Sequence, residues 1–106
     1  MARQINITPR ASQDIDDQFN RIAQDDFGAA LRFFDAVRQT IAQLARMPGM
    51  GTPYPLSNAK LVGLRRWPVK GFSKQLIFYL TDDNQIQILR VLHASRDIPG
   101  ILDDGV

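Results

Sequence analysis

The chain has 106 residues, of which 44% are hydrophobic and 23% charged, a size and composition that suit one globular domain and exclude a disordered chain or a second domain with a core of its own. It contains no cysteine, one histidine and no Gly-rich phosphate loop, which excludes a disulfide framework, a thiolate metal site, a cysteine nucleophile and a phosphate-loop nucleotide enzyme. The net charge of +2 is uneven: residues 60–96 carry Lys60, Arg65, Arg66, Lys70, Lys74, Arg90 and Arg96 against only Asp82 and Asp83, a local excess of +5 that suits either an anionic partner or a solvated sheet face.

Met1-Ala2-Arg3-Gln4-Ile5-Asn6 lacks the apolar stretch of a signal peptide. The longest apolar run, Leu76 to Leu80, is far short of the ~20 residues that cross a bilayer. A cytoplasmic protein without a membrane partner is expected. Arg3 to Ile7 alternates weakly and reads as a short strand. Thr8-Pro9 then caps a helix, since the hydroxyl can accept a free N–H and proline fits the first helical position. Ala11, Ile15, Phe19 and Ile22 form its apolar stripe, with Asp14, Asp16 and Asp17 in the first turns, where the helix dipole favours negative charge.

Asp25-Asp26-Phe27-Gly28 interrupts the pattern and caps a second helix with the stripe Ala30, Phe34, Val37, Ile41 and Leu44, widened by Phe33 and Ala45. Met47-Pro48-Gly49-Met50-Gly51 ends it. Residues 48–59 read as a loop, followed by strands at about 60–69, 74–81 and 85–93. The links Lys70-Gly71-Phe72-Ser73 and Thr81-Asp82-Asp83-Asn84 are too short to join anything but antiparallel neighbours. Ala94 to Leu102 fits a helical turn before Pro99-Gly100, and residues 99–106 read as a frayed tail. The predicted fold is α+β, in the order β-α-α-β-β-β, with an antiparallel sheet covered on one face by a helical hairpin.

Three segments carry a family resemblance over about residues 3–98. They are Ile5 to Ala11 leading into Asp14-Ile15, Gly63 to Phe72 followed by Leu76-Ile77-Phe78-Tyr79, and Ile86 to Ile98 with its Val91-Leu92-His93-Ala94-Ser95-Arg96-Asp97 ending. Together they resemble the ParE/RelE superfamily of type II toxins, most closely its ParE-like branch. The resemblance implies a single toxin domain over residues 1–106, partnered by a cognate antitoxin and needing no cofactor. Direct DNA binding without the antitoxin is not implied. ParE-like members inhibit DNA gyrase without an accepted catalytic site. RelE-like members are endoribonucleases that cut mRNA on the ribosome, and a third reading is an inactive member retained for antitoxin binding. Whether this chain is an enzyme is left open.

RNA cleavage by 2′-hydroxyl attack needs a proton acceptor, cations for the phosphorane and an acid for the leaving oxygen. His93 with Arg65, Arg90 and Arg96 forms the candidate catalytic set, and Tyr79 is a possible phenolic donor. Each also has a structural reading: His93 as a hydrogen-bonding partner of its own turn, Arg90 as a half-buried paired strand residue, Arg96 as a partner of the acidic first helix, Tyr79 as core. Nuclease members usually carry a C-terminal tyrosine and a dense lysine set, whereas the only tyrosines here are Tyr54 and Tyr79. Arg65, Arg66, Trp67 and Arg96 are therefore the target-binding candidates under the gyrase reading, with Trp67 either a contact residue or partly buried. No metal ligands are predicted.

Overall fold

A computed structural model describes residues 2–104. The first strand, β1, spans Gln4–Ile7, and α1 follows over Pro9–Asp25. Thr8 caps α1 as its sequence context predicts: Oγ1 accepts the Ala11 N–H at 3.1 Å, and Pro9 opens the helix. Asp26 then serves two helices. Its extended backbone ends α1 while its N–H donates to Ile22 O, and its Oδ1 accepts the Ala29 N–H at the start of α2, Phe27–Arg46. A single residue makes the elbow of the hairpin.

Beyond α2 come β2 (Thr52–Pro53), β3 (Arg65–Val69), β4 (Phe72–Thr81) and β5 (Gln85–His93), giving a sheet of order β1-β5-β4-β3-β2. The meander β3-β4-β5 is antiparallel, as its short links require. The Lys70-Gly71 link closes tightly because Gly71 adopts the left-handed φ of +79°. Boundaries and pairing differ from expectation in places, and Phe72 and Ser73, read as part of a link, already belong to β4. Residues 60–64 are not strand, because Asn58 Oδ1 accepts the Lys60 N–H and starts a 3-10 turn over Ala59–Leu61. The sheet is also mixed, since β1 pairs parallel to β5, with Ile5 opposite Ile86 and Ile7 opposite Ile88. The short-link rule governs sequence neighbours, and these two strands are separated by almost the whole chain.

The helical hairpin covers one face of the sheet. Ala11, Ile15, Phe33, Val37, Ile41 and Leu44 pack there against Val69, Ile77, Tyr79, Ile86, Ile88 and Val91. Phe33 is the buried aromatic of α2, edge-on to Phe72 at 5.4 Å, while Phe34, predicted as core, is 40% exposed. Phe34 turns toward α1 and meets the half-buried Phe19 edge-on.

The opposite face is covered as well. Leu61 and Leu64 of the long loop join Leu76, Phe78, Leu89 and Leu92 in a second core. That core is closed by Ile98 and Leu102 of α3, Ile98–Asp103. The predicted frayed tail is thus corrected. Pro99 and Gly100 open a helix rather than end one, because Asp97 caps it and Pro99 sits in its first turn. Gly105 and Val106 lie outside the described residues. Burial on both faces explains the near-continuous apolar runs of β4 and β5.

The outer edge of β5 has two covers. β1 pairs with residues 85–88, and beyond them α1 takes over. Thr8 Oγ1 donates to Leu89 O at 3.0 Å, Asp14 Oδ2 accepts the Val91 N–H at 3.0 Å, and Gln18 Nε2 donates to Val91 O at 2.6 Å. Side chains of a helix thereby satisfy a strand edge that would otherwise be open.

Candidate functional site

Arg90 sits beside a bulge in its own strand: Phe78 faces it across the sheet and Tyr79 faces Ile88, leaving Leu89 as the extra residue. Only 4% exposed, Arg90 meets Asp14 in a bidentate pair, Nε to Oδ2 at 2.7 Å and Nη2 to Oδ1 at 2.9 Å. The first turn of α1 contains no acid. Asp14 lies beyond that turn and is held by Arg90, in place of the dipole role that the sequence suggests. Arg96, expected against the acidic helix, is exposed and makes no ion pair among the described residues.

Arg65 and Tyr79 face each other across β3 and β4 and hold the loop after α2. Tyr79 Oη donates to Pro48 O at 2.5 Å and accepts the Gly51 N–H at 2.9 Å, while Arg65 Nη1 donates to Gly51 O at 2.5 Å. Burial pushes the Tyr79 phenol above its ordinary value, against smaller downward pulls from the Gly51 N–H and the Arg65 charge. A buried phenol already donating to a carbonyl has no proton ready for a leaving group.

His93 ends β5 across from Gln75. The Ser95 backbone N–H donates to its Nδ1 at 3.0 Å, and Ser95 Oγ lies 2.7 Å from the same nitrogen. Nδ1 is therefore an acceptor, and the neutral ring carries its proton on Nε2. Arg96 follows in the same turn. Arg65 lies toward the other end of the meander, four β4 positions away, or roughly 13 Å along the strand at ~3.3 Å per residue. Of the candidate catalytic set only His93 and Arg96 share a location, while Arg65 and Arg90 are engaged elsewhere in the fold. No three His, Asp or Glu side chains cluster as a metal site requires among the described residues.

The target-binding candidates split by exposure. Arg66 is exposed, with its guanidinium carbon 5.6 Å from the centre of the Tyr54 ring. Trp67 is half-buried against the helix-side core. Lys60, Lys70, Lys74 and Arg96 are exposed, so the excess positive charge of residues 60–96 is largely at the surface.

An apolar surface lies by β1, at the sheet edge opposite β2 and β3. Ile5 and Ile7 of β1, 42% and 39% exposed, open with Ile15, Phe34, Val37 and Ile41 onto a groove of about 520 Å³. β1 is also an edge strand. The Gln4 N–H and Thr8 N–H point at β5, so the alternating Ile5 and Ile7 backbone groups point outward. The helix stripes are visible in sequence, but this exposed member is not. Gln18 was also missed, although its position three residues after Ile15 places a polar side chain on an apolar stripe.

Comparison with known proteins places this geometry in a family. The family model for the ParE toxin of the type II toxin-antitoxin system, parDE, matches residues 5–98. Among solved structures, the chain is similar to one described as the chromosomal ParDE toxin-antitoxin system from P. aeruginosa, with a TM-score of 0.70, 17% identity, and coverage of 89% of this chain and 98% of that one. It is also similar to the E. coli DinJ-YafQ toxin-antitoxin complex, with a TM-score of 0.56, 15% identity, and coverage of 88% and 93%. No curated protein sequence gives a significant match. At such identities the structures speak for the fold alone, whereas the family match spans most of the chain. The chain belongs to the ParE toxin family of type II toxin-antitoxin systems.

Proposed function

We propose that this ParE-family toxin acts in the cytoplasm by binding and inhibiting DNA gyrase, and that its cognate antitoxin neutralises it. The Ser95 N–H bond to His93 Nδ1 is the observation that carries the choice of binder over nuclease. With Nδ1 accepting from Ser95 and the proton on Nε2, the ring has no free lone pair to take a 2′-hydroxyl proton. Arg90 and Arg65, needed to balance phosphorane charge in the alternative, are held by Asp14 and Gly51. The exposed cations Arg66 and Arg96 remain available for a contact surface.

The antitoxin reading rests on the groove of β1, α1 and α2. A disordered segment folding onto Ile5, Ile7 and Phe34 would cover apolar surface that the free toxin leaves open. Paired substitutions test the mode of action. Arg66→Ala and Arg96→Ala are expected to weaken gyrase inhibition severalfold, while His93→Ala leaves it near wild type. Ribosome-dependent mRNA cuts that disappear in His93→Ala would reverse the assignment and establish the RelE-like endoribonuclease.

A further inference from the structure

A second cavity, of about 460 Å³, lies at the elbow of the hairpin, away from the apolar groove. Gln18 of α1 and Gln75 of β4 both line it. Gln18 is only 8% exposed, and its amide is oriented by the bond from Nε2 to Val91 O. Its Oε1 is therefore the free end, buried and without a hydrogen-bond partner, and Gln75 Oε1 is in the same condition. Two buried acceptors without donors in one cleft are unusual, because desolvating a carbonyl oxygen is costly until a donor reaches it.

The charges of the lining agree with that demand. Asp25 and Asp26 oppose Arg21, so carboxylates outnumber guanidinium groups in the lining, and His93 Nδ1 is turned to the Ser95 N–H. Asp26 is partly committed, its Oδ1 to the Ala29 N–H and its Oδ2 at 3.9 Å from Arg32. Asp25 makes no ion pair among the described residues and stands at the carboxyl end of α1, where the helix dipole also favours a cation. Ile22 and Ala29 supply an apolar wall.

We propose that the elbow cleft binds an alkylguanidinium group, with Gln18 Oε1 and Gln75 Oε1 accepting its N–H donors and Asp25 balancing its charge. A guanidinium has five donors and no acceptor, so it leaves none of its own groups unsatisfied against this lining. An ammonium offers a point charge with stronger hydration and no planar fork to reach separate acceptors. Ile22 and Ala29 suit the methylene stem. The group comes either from an arginine of a partner protein or from a free guanidino metabolite.

The test is titration of the isotope-labelled full chain with N-acetylarginine methylamide and, separately, agmatine, following the side-chain amide signals of Gln18 and Gln75. Saturable shifts are expected at both, with N-acetyllysine methylamide binding more weakly. Asp25→Asn should weaken binding about fivefold and Arg21→Ala should tighten it, since one loses an attractive charge and the other a repulsive one. Both residues are exposed, so the fold is retained. Gln75→Leu should also weaken binding, leaving the Gln18 bond to Val91 in place. Tighter binding of the peptide-like ligand assigns the cleft to a partner's arginine, tighter binding of agmatine to a metabolite, and either supports the proposal. Shifts that do not saturate, equal binding of the lysine analogue, or an affinity unchanged in Asp25→Asn overturns it.

Discussion

Tyr79 holds the loop at residues 48–51 through one oxygen, and Gly51 is the residue that permits it. A Cβ at position 51 would lie 2.2 Å from Tyr79 Oη, and the ring is fully buried and has nowhere to retreat. Gly51→Ala should therefore destabilise the fold by about 1–3 kcal/mol, measured by denaturant unfolding. Tyr79 should also report on pH. Its phenol is raised above its ordinary 10.0. The stability it contributes is whole below the unfolded value and is lost as pH climbs through the folded one. The melting temperature should thus fall above about pH 10, less steeply in Tyr79→Phe. Asp14 and Arg90 make a stronger demand. Asp14→Ala leaves a buried guanidinium without its counter-charge and should cost about 3–5 kcal/mol. That Arg90 pairs was legible from its place amid apolar strand residues. Its partner was not, because Asp14 reaches it only once α1 lies along the outer edge of β5.

At the scale of elements, the sheet has two cores, and sequence periodicity reveals one of them. The stripes of α1 and α2 are strong enough to mark the first face, and a threonine-proline pair marks where α1 begins. The second face is assembled from short pieces: a 3-10 turn, the loop leucines Leu61 and Leu64, and six residues of α3. Neither periodicity nor length distinguishes such pieces from coil. Pro99-Gly100 further disguises α3, since the same pair can stop a helix or open one, and only the Asp97 cap and the burial of Leu102 decide. Leu102→Ala should accordingly cost about 2–5 kcal/mol, as a core leucine does, and not the few tenths expected of a frayed tail. Thermal or denaturant unfolding of the single variant separates the two.

For the whole molecule, the fold divides its surface into an apolar groove on the hairpin side and a cationic surface drawn from residues 60–96. No helix among the described residues is long and apolar enough to cross a membrane. The charge excess was legible in composition, but the groove depends on Phe34 turning outward and β1 standing at an edge, which are tertiary facts. If the antitoxin folds into the groove, Phe34→Asp should weaken the complex at least tenfold by calorimetry, while the free toxin keeps its melting temperature within a few degrees. The complex itself should melt well above the free toxin. Contact through the cationic surface should in turn weaken as salt rises, because exposed charges are screened. The most direct measurement of the central claim is a DNA gyrase supercoiling assay with purified toxin, with and without its antitoxin. The account predicts that free toxin stops supercoiling, that antitoxin restores it, and that inhibition fades with added salt. Supercoiling untouched by toxin, under conditions where the same preparation cuts ribosome-bound mRNA, would contradict it.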